Sequence, residues 1–292
     1  AHRPDLTLTL LKSIKETPMG GYHPPADIWL LACCASAPHN RPKVKSLFKS
    51  KAIAGIFTSR LLRESLSGNG IALTSLFGTS LCDLADGLLR SSSSTSSLDV
   101  SISTGGRAAC ELGVTLYEIL FEEFPEPMHR QELVGSLVTH VGSGVNVNPS
   151  EVNAALRVFC GIVDKSKDGA MALRPFTPFL TSMLDHLHQM TPYQVRRIFL
   201  ILFAVGGDGD EDGAGSTMRG GACDDVQIVI RKHLSLTPFA MKRIVSLVVS
   251  TIVHSIDGFT VAASHRGYFF YYSSSSGHNR DCGIRRVEIF ST

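Results

Sequence analysis

The chain has 292 residues, 43% of them hydrophobic, and 28 Lys+Arg against 26 Asp+Glu give a formal net charge of +2. That apolar content excludes wholesale disorder, and the length allows a substantial core as one or two compact domains or as an elongated array. Near-balanced charge excludes the global basic field that advertises nucleic-acid binding by composition, so any such contact has to be local.

Residues 6–14 and 28–36 carry apolar side chains at helical spacing, separated by a loop with Pro18, Gly20, Gly21, Pro24 and Pro25. Residues 41–51 form a basic amphipathic turn, with Val44, Leu47 and Phe48 on one side and Lys43, Lys45, Lys49 and Lys51 around the other. Such a lysine face is either a solvated helix surface or a phosphate-backbone contact, salt-sensitive and blind to base sequence. Residues 56–66 and 71–89, with Leu76, Leu81, Leu84, Leu88 and Leu89, are expected to pair as antiparallel helices across residues 67–70. The Ser-rich tract that follows, residues 91–107, has few apolar anchors and reads as a flexible insertion.

Helical spacing resumes over residues 108–124 through Leu112, Leu116, Ile119, Leu120 and Phe124, and Pro125 and Pro127 end it. Residues 131–141 form a shorter helix. Asn148 or Ser150 can cap the next one, which points Val152, Leu156, Phe159 and Val163 inward and closes over residues 164–169. Residues 173–183, extended to 188, lead into Thr191-Pro192-Tyr193-Gln194, a capping box with proline in the first turn. Residues 195–205 are apolar nearly all round apart from Arg196 and Arg197, the pattern of a helix buried between neighbours.

Residues 206–222 gather Asp208, Asp210, Glu211 and Asp212 among glycines. Alternating carboxylates suit a hard cation, but no Glu stands at the closing position and the glycines are entropically costly to order. The segment reads as an acidic flexible insertion and not as a calcium loop. Asp224 then starts a short helix over residues 226–234 that carries Arg231 and Lys232. Thr237 and Pro238 are a second start signal, the threonine oxygen accepting from an orphan amide and proline suiting the first helical position. At about 100° per residue, Met241, Ile244, Val245, Val248, Val249, Ile252 and Ile256 share one wide arc, while Arg243 points to the middle of the polar side. Lys242 lands at the margin of the apolar arc, half covered. Read from the residues alone, such a lysine is ordinarily a snorkelling packing residue, its methylenes on apolar neighbours and its ammonium in water.

After Asp257 the helical spacing ceases, and residues 258–292 read as a divergent or disordered tail. The expected fold is all-α, an irregular helical-repeat solenoid of antiparallel helix pairs over residues 41–257. Residues 1–40 are an N-terminal helical segment, and because the chain opens at Ala1 with no initiator methionine we expect a fragment of something longer.

No catalytic constellation stands out. The seven cysteines are odd in number and scattered, the habit of reduced thiols in a cytosolic or nuclear protein. Cys33, Cys34, Cys110 and Cys160 lie in apolar runs, where packing is favoured over the electropositive, accessible setting that a thiolate nucleophile needs. His186 and His188 are two residues apart and cannot share a helix face. No Cys-x-x-Cys pair and no Gly-Lys-Ser/Thr occurs, so no zinc site, phosphate loop or other cofactor is expected and the chain reads as no enzyme. No apolar run is expected to reach the roughly 18 residues needed to span a bilayer, and a membrane is not an expected partner.

Two stretches resemble a known family. Residues 226–244, with Val-Ile-Arg-Lys-His-Leu-Ser-Leu-Thr-Pro-Phe-Ala-Met-Lys, are similar to the helix pair around the ubiquitin-acceptor lysine of the Fanconi anaemia group D-two family, and Lys242 sits where that acceptor sits. Glu132-Leu-Val-Gly-Ser-Leu-Val-Thr-His140 is similar to a second helix of the family. Between these anchors the match is one of helix order, over about residues 41–257; the acidic insertion and the tail depart from it. The resemblance implies a nuclear DNA-repair scaffold, monoubiquitinated on Lys242, that pairs with the Fanconi anaemia group-I paralogue and clamps DNA at interstrand crosslinks. Its other partners would be ubiquitin with its conjugating enzyme and ligase. Arg231, Lys232, Arg243, Lys43, Lys45 and Lys49 are then candidate contacts to DNA or to the conjugating enzyme. A generic helical-repeat adaptor without a ubiquitin switch is the competing expectation.

Overall fold

The computed structural model describes residues 4–17, 23–91, 100–142, 148–165 and 167–206. Among them every element is helical and none is a strand, as the spacing predicts. The helices are α1 (Pro4–Glu16), α2 (Pro25–Ser36), α3 (Arg41–Ile53), α4 (Ser59–Leu66), α5 (Gly70–Ala72), α6 (Gly78–Leu89), α7 (Val100–Glu123), α8 (Pro127–Gly142), α9 (Pro149–Lys165), α10 (Lys167–Leu173), α11 (Thr177–Thr181) and α12 (Pro192–Gly206).

The long helix α7 is the hub. It packs on α3, α4 and α6 on one side and on α9 on the other, and α9 in turn packs on α8, α10 and α12. Enclosure by several helices explains why Leu112, Val114, Leu116, Tyr117, Ile119, Leu120 and Phe121 are all buried, more than one helical stripe can supply. A close approach of α6 to α7 is at Gly113, where a Cβ would lie 2.9 Å from the Leu89 amide nitrogen and 3.2 Å from the Ala85 carbonyl oxygen. The succession α3–α7–α9–α12, each helix leaning on the next, accords with an irregular helical stack.

Helix starts follow local chemistry. The Thr58 hydroxyl accepts from the Leu61 amide at 3.2 Å, and Asn148, not Ser150, caps α9 through its side-chain oxygen on the Ser150 amide at 2.9 Å. The capping box forms as expected, with Thr191 N–H donating to Gln194 Oε1 at 2.9 Å and Gln194 N–H to Thr191 Oγ1 at 3.4 Å. Gln194 is itself buried, and its amide nitrogen donates to the Pro149 carbonyl at 3.0 Å, pinning the start of α12 to the start of α9.

The structure departs from the sequence reading in four places. First, α4 does not pair with α6: it packs on α2 and α7, because its buried face of Leu61, Leu62 and Leu66 finds α7 nearer than the helix next in sequence. Second, the Ser-rich insertion expected over residues 91–107 is shorter, since α7 already begins at Val100; residues 92–99 lie outside the described residues. Third, residues 173–188 are not one helix. Pro175 and Pro178 break them into a 3-10 turn (Arg174–Phe176), α11 and a second 3-10 turn (Ser182–Gln189). Fourth, Gly70–Leu89 is 20 residues long and apolar enough by length and composition to cross a membrane, contrary to expectation. In this fold it is α5, a π-helical turn (Leu73–Phe77) and α6, with Leu73, Leu81, Leu84, Leu88 and Leu89 buried against the stack. As expected, α12 is mostly buried, through Val195, Ile198, Phe199, Ile201, Leu202 and Val205.

Candidate functional site

The sequence-predicted basic face is carried by α3, whose Val44, Leu47, Phe48 and Ala52 are buried against α7, α6 and α2. Lys43 is exposed, and Lys45 and Lys49 are half-exposed. Lys51 does not belong with them, contrary to its assignment to the basic side. It is buried, and Nζ donates to the Thr17 carbonyl at 3.0 Å. Four residues after Leu47, it falls inside the apolar arc, a signal already present in the spacing. Arg41 is also spoken for, its guanidinium paired with Asp83 while Nε donates to the Ala35 carbonyl at 3.1 Å.

Lys45 is the distinctive member. Its stem crosses Gly87 on α6, and burial pushes its pKa down; Arg90 and Lys49 push the same way while Asp86 pulls against them. Lys45, Lys49 and Arg90 thus form a cationic rim with Asp86 as the carboxylate at its inner edge, while Lys43 is exposed elsewhere on α3. Chemically this rim can take anionic oxygens, as a phosphate backbone offers them, without reading bases.

Asp86 leads inward to a buried group that no local pattern announces. His140 on α8 lies with Nε2 2.6 Å from Asp86 Oδ1 and Nδ1 2.5 Å from Glu151 Oε1 on α9, its side chain 1% exposed. Arg90 Nη1 reaches Asp86 Oδ2 at 2.7 Å, and Ser136 Oγ lies 3.4 Å from Asp86 Oδ1 and 3.0 Å from the Tyr117 hydroxyl. Burial works against charge on His140, but the bonds and charges of Asp86 and Glu151 prevail and hold its pKa above the usual value. Burial also works against charge on Asp86, yet His140, Arg90 and Ser136 hold its pKa below the usual value. The only sequence signal for this cluster is that His140 closes the second family-like stretch.

Among the described thiols, Cys34, Cys82 and Cys160 are poor nucleophiles. Burial raises the pKa of Cys34 and Cys160 and pushes Cys82 up to about 12. Cys110 is buried as expected, but Cys33 is exposed, because its position on α2 turns away from the stack that covers Cys34. Among the described residues no group of three or more His, Cys, Asp or Glu side chains is arranged to hold a metal ion. Lys242, Arg231, Lys232 and Arg243 lie outside the described residues, as do the acidic insertion and the tail.

Comparison with known proteins adds what geometry cannot. The family described as Fanconi anaemia protein FancD2 nuclease matches residues 5–268. The chain is 29% identical over 235 residues to the Fanconi anemia group D2 protein homolog of Rattus norvegicus, covering 80% of this chain and 14% of that protein. It is 29% identical over 234 residues to the Mus musculus homolog, again 80% and 14%. With the Fanconi anemia group D2 protein of Gallus gallus it shares 26% identity over 232 residues, 79% of this chain and 14% of that protein. The match thus spans about a seventh of the length of these relatives.

Proposed function

Since the chain belongs to the FancD2 family of Fanconi anaemia proteins, we propose that it is part of a non-enzymatic nuclear DNA-repair scaffold. In this reading it is monoubiquitinated on Lys242, joins the Fanconi anaemia group-I paralogue and acts as a clamp on DNA in interstrand crosslink repair. The observation that carries the reading is the reach of the family match, residues 5–268, which includes Thr237, Pro238 and Lys242.

The chain supplies an amine, and the conjugating enzyme supplies an activated thioester. The neutral Nζ of Lys242 attacks the thioester carbon; a C–N isopeptide bond forms, the C–S bond breaks, the enzyme's thiolate leaves and the amine proton passes to solvent. Partial burial favours the neutral form of a lysine, so a position at the rim of an apolar helix face suits an acceptor. Arg231, Lys232 and Arg243 flank it in sequence and are candidates for the acidic surface of the enzyme or for phosphates. Lys43, Lys45 and Lys49, with Arg90, supply a sequence-blind contact to the DNA backbone.

Two other readings make different demands. The family's description carries the word nuclease, and a nuclease of the usual kind gathers carboxylates around divalent ions. Among the described residues Glu118, Glu151 and Glu111 are instead paired with Arg63, His140 and Arg157 across helices, which favours the scaffold. A generic adaptor needs no acceptor at all. Reconstituted ubiquitination with the charged conjugating enzyme, ligase and paralogue separates them: Lys242→Arg abolishes the single conjugate and leaves the helical circular dichroism unchanged. A conjugate that persists in that variant removes Lys242 from the reading, and Mg²⁺-dependent cleavage of DNA by the purified chain removes the non-enzymatic half.

A further inference from the structure

Buried histidines are ordinarily neutral, because stripping water from an imidazolium costs more than one hydrogen bond returns. The surroundings of His140 reverse that order. A neutral imidazole offers one N–H and one lone pair, so with carboxylate oxygens 2.6 Å from Nε2 and 2.5 Å from Nδ1 one carboxylate would face a lone pair. Nδ1 is hydrogen-bonded to Glu151, while Nε2 and Asp86 Oδ1 stand in ion-pair contact without hydrogen-bond alignment, so the imidazolium meets the second carboxylate by charge. We propose that His140 is held as a buried imidazolium tying α8 to α6 and α9, and that this tie is a pH-sensitive latch, closed while the ring carries its proton and opened by its loss.

The groups around it bear this out by charge. From α6 come Asp86, Arg90 and the half-buried Cys82; from α9 comes Glu151, which Arg90 Nε approaches at 3.7 Å. From α7 the Tyr117 hydroxyl bonds Ser136 on α8 itself, and from α3 Lys45 acts on Asp86. Glu132 on α8 acts on Cys82, and the His186 ring, from the 3-10 turn after α11, lies against Gly142 near the end of α8. With His140 protonated, two carboxylates meet two cations, His140 and Arg90. Without that proton one cation fewer faces the two carboxylates where α6, α8 and α9 meet, and the lost attraction weakens the contacts among these helices. Because the folded ring holds its proton more tightly than the ordinary value of 6.5, the latch contributes fully below that value and its contribution is lost as pH rises through the folded one.

The experiment is a ring-nitrogen NMR titration of the ¹⁵N-histidine-labelled full chain, with His140 assigned by loss of its signal in His140→Gln, run beside amide hydrogen exchange. The expected result is that His140 keeps the doubly protonated pattern to higher pH than the chain's exposed histidines, which lose it near the ordinary value of about 6.5. As that pattern gives way at higher pH, the protection of the α8 amides, taken against the intrinsic exchange rate at each pH, falls. A ring that loses its proton with or before the exposed histidines overturns the imidazolium, and a ring that deprotonates with no loss of α8 protection overturns the latch. Lys45 is a second group whose charge changes in the alkaline range, but the ring signal reports His140 directly. If His140→Gln does not fold, Glu151→Gln supplies the assignment through the shift it causes at Nδ1, and the wild-type titration still decides.

Discussion

The stem of Lys45 crosses α6 directly over Gly87, where an added Cβ would lie 2.7 Å from Nζ, 2.8 Å from Cε and 2.9 Å from Cδ. The obstacle is the mobile end of a side chain, so Gly87→Ala should lift Lys45 outward at little cost. The gain in helix propensity, about 0.5–1 kcal/mol, offsets the displacement, and stability should change by less than about 1 kcal/mol. Moved into water, Lys45 regains a more ordinary pKa. Competitive acylation at mildly alkaline pH, read residue by residue by mass spectrometry, should show Lys45 less reactive in the variant than in the parent.

The cationic rim makes its own prediction. Replacing Lys43, Lys45 and Lys49 together by Gln should weaken duplex binding equally for unrelated sequences. The slope of log K against log salt should become shallower by about 0.9 for each phosphate that is no longer neutralised. Fluorescence anisotropy across a salt series measures this, with Lys12→Gln on α1 as a control that leaves the slope unchanged.

Gly113 offers no such freedom. An alanine Cβ there meets the Leu89 amide nitrogen at 2.9 Å and the Ala85 carbonyl oxygen at 3.2 Å, backbone atoms that cannot rotate away. Gly113→Ala should therefore push α6 off α7 and cost about 1–3 kcal/mol despite the better helix former. The urea midpoint should fall with an unchanged slope.

Acid should loosen the packing on the other side of neutrality. Arg157, paired with Glu111 at 2.7 and 2.5 Å, holds that carboxyl below its usual 4.5 against the opposing effect of burial. For Asp86 burial acts upward, but His140 and Arg90 prevail and hold it below 3.8. Both contributions are present above those ordinary values and are lost as pH falls through the lower folded ones. Melting temperature should fall across that acid range, and Glu111→Gln should flatten part of the fall.

Much of the stack was legible because helix starts and stops are written locally. The Thr191–Gln194 box, the Asn148 cap and the Pro125–Pro127 break are short-range chemistry, and each stands where the residues put it. What was illegible depends on which helices meet. Nothing in residues 56–66 tells that α4 will choose α7 over α6, and nothing beside His140 tells that Asp86 and Glu151 will converge on its ring. Lys51 is a different case: its place between Leu47 and the apolar arc was readable, and a run of lysines disguised it. Of the candidate site, the α3 rim is seen in three dimensions, while Lys242 rests on the family match.

The most direct test of the central claim is to digest the reconstituted conjugate with trypsin and map the branched Gly-Gly remnant by mass spectrometry. The account predicts a single remnant, on Lys242, formed in the presence of the paralogue. A remnant on any other lysine, with Lys242 recovered unmodified from the conjugated band, would contradict it.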